Sequence, residues 1–271
     1  MLRKSLLAMC LALAAGAVSA YDLAEVKSRG VLRVAVYKDF APFSDEGKGI
    51  DNDLAAKLAE KLGVKVSFLP FDGDENMDDD LRNMVWKGHY LGYGPADVMM
   101  HAPVDKAFME RNDKVQIFAP YFRETVQLMF NTEVVPKVES MLALEGLPVG
   151  VEDASIASIA LLSYEGGKFR NNVRHYKSMG QAVADLKAGK LAAVLGMRSQ
   201  LEAAKGGAPG VVMANPPLPG LPQAGWVLGL AVKKEHEDLA KALQKAMNEL
   251  DADGQLNRVF EQHGVRRLAP L

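Results

Sequence analysis

Apolar and polar positions switch rhythm along this chain, between the two-residue period of a strand and the three-to-four-residue period of a helix. VLRVAVY (Val31 to Tyr37) alternates and then turns wholly apolar, which predicts a strand sinking into a core. Leu54, Leu58 and Leu62 then fall on one helical face, with Asp51 or Asp53 as cap and Gly63 as stop. VKVSFLPF (Val64 to Phe71) reads as the next strand, so the order strand–helix–strand predicts a parallel crossover. The second half repeats the pattern. LPVGVED is a strand, ASIASIALLSYE a helix and NVRHYK a strand. Ser178 and Gln181 frame a capping box for QAVADLKAG, and LAAVLG follows as a buried strand. Two such runs predict two α/β lobes rather than one sheet.

Two joints separate the runs. Tyr121 to Glu133 is one unbroken extended stretch, whereas ANPPLPGLPQAG holds four of the chain's 13 prolines and predicts a stiff connector. A strand from Gly225, a helix from about His236 and a break at DADG close the pattern.

Composition narrows the setting. Residues 1–20 combine Arg3 and Lys4, an apolar stretch from Leu6 to Ala15, and small Val18 and Ala20 at cleavage spacing. They read as a signal peptide cut before Tyr21, too short for a membrane span. Met9 before Cys10, and the little apolar sequence so early a cut would leave, argue against lipidation there. The remaining 251 residues hold no cysteine, so stability must come from the core alone. Net charge is −2 for the whole chain and −4 without the leader, which argues against nucleic acid. A periplasmic protein with no membrane span after cleavage is expected.

SRGVLRVAVYKDFAPFS, GIDNDLAAKLAEKLGVKV and ADVMMHAPVDKAFMERNDKVQIFAPYF, with the closing GWVLGLAVKKEHEDLAKALQKAMNELDADGQLNRVFEQHGV, resemble bacterial extracellular solute-binding proteins of family 3. The resemblance implies an α/β, two-lobed periplasmic binding protein type 2 fold with two hinge crossings. Lobe one would be residues 21–127 plus 221–271 and lobe two residues 128–220, closing over a ligand. The insert DGDENMDDDLRNMVWKGHYLGYGPADVMM looks like a narrower subgroup associated with quinoprotein (PQQ-dependent) alcohol and methanol dehydrogenases.

Ligands of open α/β sheets sit at the carboxyl ends of strands, which nominates four loops: 37–44, 101–111, 153–158 and 196–200. The resemblance then implies roles for particular residues. Tyr37 and Phe40 would stack on a ligand, Arg111 would grip a carboxylate, and Ser155 would open a ligand-facing helix. Met197 stands where an ammonium-binding acid is expected, so a free α-amino acid is disfavoured as ligand. His101 ends a strand facing the cleft, with structural or polar-lining duty favoured over catalysis because no acid or nucleophile is paired with it in sequence. The run Asp78, Asp79, Asp80 offers either a solvated helix start or a surface for a basic partner. Asp72, Asp74, Asn76 and Asp78 mimic the start of a calcium loop, but it fails, since Met77 and Asn83 occupy the glycine and terminal-glutamate positions. The five histidines show no metal-ligand spacing, and no cofactor motif occurs.

Three functions compete. A solute-binding protein would hand a small ligand to an ABC permease. An accessory protein would dock a quinoprotein dehydrogenase or its c-type cytochrome. A cleft enzyme such as a dehydratase would need an acid–base pair that the sequence does not display, so a non-enzyme is expected.

Overall fold

The computed structural model describes residues 22–270, so the expected signal peptide lies outside the described residues. After α1 (Asp22–Arg29), β1 (Val31–Tyr37), α2 (Ile50–Leu62) and β2 (Lys65–Phe71) form the expected parallel crossover. Next come α3 (Met77–Leu81), continued by a π-helical turn, β3 (Val98–Pro103), α4 (Lys106–Arg111) and β4 (Val115–Glu124). The chain then crosses into β5 (Val126–Asn131), β6 (Val149–Glu152), α5 (Ile156–Ser163) and β7 (Val173–Tyr176). α6 (Met179–Lys187), β8 (Ala193–Met197), α7 (Arg198–Lys205) and β9 (Val211–Ala214) complete that half. Residues 215–225 carry the chain back to β10 (Trp226–Lys233), α8 (Glu237–Ala252) and α9 (Gln255–Gln262).

Each half has its own five-stranded sheet, ordered β2-β1-β3-β10-β4 and β7-β6-β8-β5-β9. Separate apolar cores lie on the two sheets, one around Leu32, Leu54 and Leu243, the other around Leu128, Val151 and Leu195. Trp226 packs against both, where the second crossing re-enters the first sheet. The first crossing is sharper than the expected extended stretch. Thr125 breaks it, and Gln127 already pairs with Gly196 in the second sheet.

Local chemistry explains most starts and stops. Side chains of Asn76, Asp105, Ser155 and Ser178 accept backbone N–H bonds at the starts of α3, α4, α5 and α6. α2 differs from expectation, since neither Asp51 nor Asp53 caps it. Its first free N–H groups, from Ile50 and Asp51, donate instead to the Pro42 and Phe43 carbonyls of the preceding loop. Asp51 is thereby released to turn inward.

Glu124, fully buried at the first crossing, accepts bonds from the Thr125 N–H at 2.8 Å and from the Ser199 hydroxyl. Burial nevertheless raises its pKa, outweighing those bonds. A carboxyl whose folded pKa exceeds its unfolded value contributes fully below the latter, about 4.3, and loses that contribution as pH rises through the folded value. Denaturation midpoints measured against pH should therefore fall less steeply for Glu124→Gln than for the wild type across that window. Parallel curves would assign the slope to other groups.

Candidate functional site

The two sheets face each other across a cleft built from four stretches. β1 ends at Tyr37, and the loop after it folds back so that Phe40 and Phe43 stack at 5.4 Å. β3 delivers His101, whose φ of 65° is costly for a side-chain-bearing residue and turns the strand at the cleft wall. α3 brings Asp80, and the junction of β8 with α7 brings Met197. Together with Ile156, Trp226 and Leu228 they enclose a cavity of about 470 Å³. Two smaller cavities, about 220 and 270 Å³, continue it between Phe40, Glu152, Met179 and Gln200.

The polar groups of this cavity are tied to one another. The Tyr37 hydroxyl donates to Asp80 Oδ2 at 2.8 Å, and the Asp74 N–H donates to Asp80 Oδ1 at 2.8 Å. Burial, then the Asp80 charge, pushes the Tyr37 hydroxyl well above its ordinary value. Burial likewise raises Asp80 despite the bonds it accepts. Behind the wall, Tyr121 donates to Asp51 Oδ1 at 2.8 Å, while His101 Nδ1 lies 3.2 Å from Asp51 Oδ2, off the hydrogen-bond line. The His101 ring is wedged edge-on against Phe43 and Phe40, at 4.3 and 4.9 Å between centroids. Glu152 accepts from Gln200 Nε2 at 3.0 Å and is raised by burial.

Of the sequence-nominated residues, Tyr37, Phe40, His101 and Met197 meet in the main cavity, and Ser155 joins Phe40 and Met197 in the 220 Å³ extension. Ser155 Oγ is already engaged, accepting from the Ser158 N–H at 3.1 Å and donating to the Glu152 carbonyl at 2.7 Å.

Arg111 is not brought to the cleft. α4 starts only after Asp105, which puts Arg111 in its last turn. There Arg111 Nε donates to Asp78 Oδ1 at 3.0 Å, and the guanidinium lies 4.7 Å from the Phe108 ring centre. The acidic run also divides. Burial works against the charged form of Asp78, but bonds from Arg111 and Asn112 outweigh it and hold that carboxyl low. Asp79 is paired with Arg82 and bonded by Asn76. Asp80 is 3% exposed and faces the cleft, so the three do not form a shared docking face.

Sequence reading missed Asp51, Glu152 and Trp226. Glu152 ends β6, one residue short of the loop nominated from strand ends. Asp51 carried no signal beyond its place in a helix's first turn. Trp86 and Tyr93 pack beneath the insert, while Tyr90 stands exposed.

Comparison with known proteins gives a consistent picture. The family model for bacterial extracellular solute-binding proteins, family 3, matches residues 32–266. The L-cystine-binding protein TcyJ of Escherichia coli K12 is 27% identical over 252 residues, covering 89% of this chain and 85% of its own length. Among solved structures, an ancestral cationic amino acid solute-binding protein superposes with a TM-score of 0.70 at 23% identity, covering 89% of this chain and 99% of that one. An ancestral arginine-binding protein bound to arginine gives 0.57 at 27% identity, covering 86% and 98%. These relatives are named as cystine and amino-acid binders, so they lend no support to the expectation against an α-amino acid. The quinoprotein-associated subgroup has no counterpart among them either.

Proposed function

The chain belongs to the bacterial extracellular solute-binding proteins, family 3, and we propose that it captures a small polar solute between its lobes in the periplasm and presents it to an ABC permease. One observation carries this reading: the 470 Å³ cavity draws its lining from both sheets, with Tyr37, Phe40 and His101 on one side and Ile156 and Met197 on the other. A solute seated there would bridge the lobes and favour their closed arrangement, because only the closed form offers both walls. Amino acids, cystine and small amines all fit such a volume. Among the described residues no helix is long and apolar enough to cross a membrane.

Purified protein heated with a panel of amino acids, cystine and amines should show a saturable rise in melting temperature for at least one compound. A ligand at 100 times its Kd adds about 2.7 kcal/mol to the folded state. Phe40→Ala should abolish most of that rise. A panel-wide absence of shift, or a shift that Phe40→Ala leaves intact, would remove the cleft as the capture site.

A further inference from the structure

Asp80 in the cleft and Asp51 behind its wall are buried carboxylates without a lysine or arginine partner among the described residues, although the His101 ring lies 3.2 Å from Asp51. Asp80 is 3% exposed and Asp51 is 1% exposed. Each receives a tyrosine hydroxyl, yet among the described residues neither has a lysine or arginine within salt-bridge distance. Keeping an ionised carboxylate out of water costs several kcal/mol unless a cation compensates.

The imbalance extends through the cleft. Asp74 and Glu75 line the main cavity, and Asp39, Glu152 and Asp153 line its two extensions. None of the five has an ion-pair partner among the described residues. The opposing cation lining these cavities, Lys38, is held by Asp72 at 2.9 Å. Composition does not account for this, since the whole chain carries 32 basic against 34 acidic residues. Outside these cavities buried acids are treated in two ways: Asp97, 6% exposed, is held by both Arg29 and Arg33, while Glu124 relies on the Thr125 N–H and the Ser199 hydroxyl. Six carboxyl groups without an ion-pair partner among the described residues therefore line the space where a solute would sit.

We propose that the cleft selects solutes carrying an ammonium or guanidinium group on an apolar stem, with the cation seated against Asp80 and the Tyr37 ring of lobe one. The inference rests on the cleft being the capture site and names the chemistry that fills it. Asp80 Oδ2 and Oδ1 each accept one protein donor, which leaves a lone pair on each for an incoming N–H. Tyr37 and Phe40 present aromatic rings, and a cation over such a face gains further attraction. The stem would lie along Met77, Leu228 and Met197, the last contributed by lobe two. Closure thus dries the stem while the charge stays paired. An acidic solute finds the opposite, since Arg111 is spent on Asp78.

The raised pKa of Asp80, caused first by burial and then by the neighbouring Asp74 and Asp79 charges, agrees with a site waiting for a cation. Tyr37, Asp74 and Asp79 are the titratable groups that act on Asp80. Seating a cation favours the ionised form, so affinity should strengthen as pH rises through the Asp80 titration.

Calorimetry with four probes of similar length tests this: cadaverine, L-lysine, glutarate and pentanediol. Cadaverine or L-lysine should bind at least about tenfold tighter than glutarate and pentanediol, the effect of one charge-assisted contact. Whether cadaverine suffices without a carboxylate separates simple amines from dibasic amino acids; either supports the class. Asp80→Asn should weaken the cation about tenfold, and Phe40→Leu about threefold with pentanediol unchanged, so a folding defect in one variant leaves the other decisive. Glutarate or pentanediol matching the cations overturns the class while leaving the cleft as capture site. No melting shift with any solute would instead overturn the capture site itself.

Discussion

Gly225→Ala is expected to destabilise the protein by about 3–5 kcal/mol, the sum of a strained backbone and an unavoidable clash. Gly225 has φ +77°, a conformation that side-chain-bearing residues rarely adopt. An added Cβ would also lie 1.8 Å from the Glu124 carbonyl oxygen and 2.7 Å from Thr125 Cγ2. Neither neighbour can yield cheaply. Glu124 is paired with Trp226 across β4 and β10, and it marks the point where the first crossing leaves its sheet. The two crossings thus touch at Gly225, and their approach is set by its missing side chain. Gly220 supplies the control, because its φ of +84° is similar but nothing lies within 4 Å of its added Cβ. Gly220→Ala should cost only about 1 kcal/mol, the backbone share alone. Urea denaturation of both variants measures the difference. Equal losses would show that the close approach of the crossings is not what Gly225 protects.

The architecture was legible because its signals are local. Alternation marks β1, leucine phase marks α2, and proline excludes regular structure from the connector before β10. The first crossing was not legible in the same way. Residues 121–133 contain neither proline nor glycine after the strand begins, so nothing announces that one half pairs with β10 and the other with β8. The polar pair Glu124–Thr125 inside an apolar run was the available hint. Site residues depended on contacts far apart in sequence. Asp78, Asp79 and Asp80 look alike in a linear reading, yet helical phase turns Asp80 alone towards Tyr37, 43 positions away. The resemblance assigns Arg111 to the loop after β3 at the cleft, but α4 starts only after Asp105 and puts it in that helix's last turn, against Asp78.

The chain crosses between the sheets twice, and a non-covalent tie adds a third connection, which makes Arg198 the other position of large effect. Arg198 opens α7 in the second half, is 1% exposed, and donates from Nη2 to the Arg266 carbonyl at 2.6 Å, beyond α9 in the C-terminal tail. Its Nη1 meets Glu202, whose other oxygen accepts the Arg266 N–H at 2.9 Å. The tail is fixed in turn to the first half, because the Leu268 carbonyl accepts the Arg123 N–H and Arg267 Nε donates to the Tyr121 carbonyl. Arg198→Ala empties a buried position and takes the donor from part-exposed Glu202 and from the Arg266 carbonyl, a loss of packing and of charge-assisted hydrogen bonds that should cost about 2–4 kcal/mol. Arg198→Met refills the space beside Phe122 without the charge and should recover the packing share of that loss, about 1–2 kcal/mol. Because the tie spans the lobes, both variants should also weaken solute capture by a common factor, while Lys190→Ala, which breaks a pair confined to the second lobe, leaves capture unchanged. Stability loss with unaltered affinity in both Arg198 variants would reduce the tie to a local brace of α7, with no part in setting how the lobes meet.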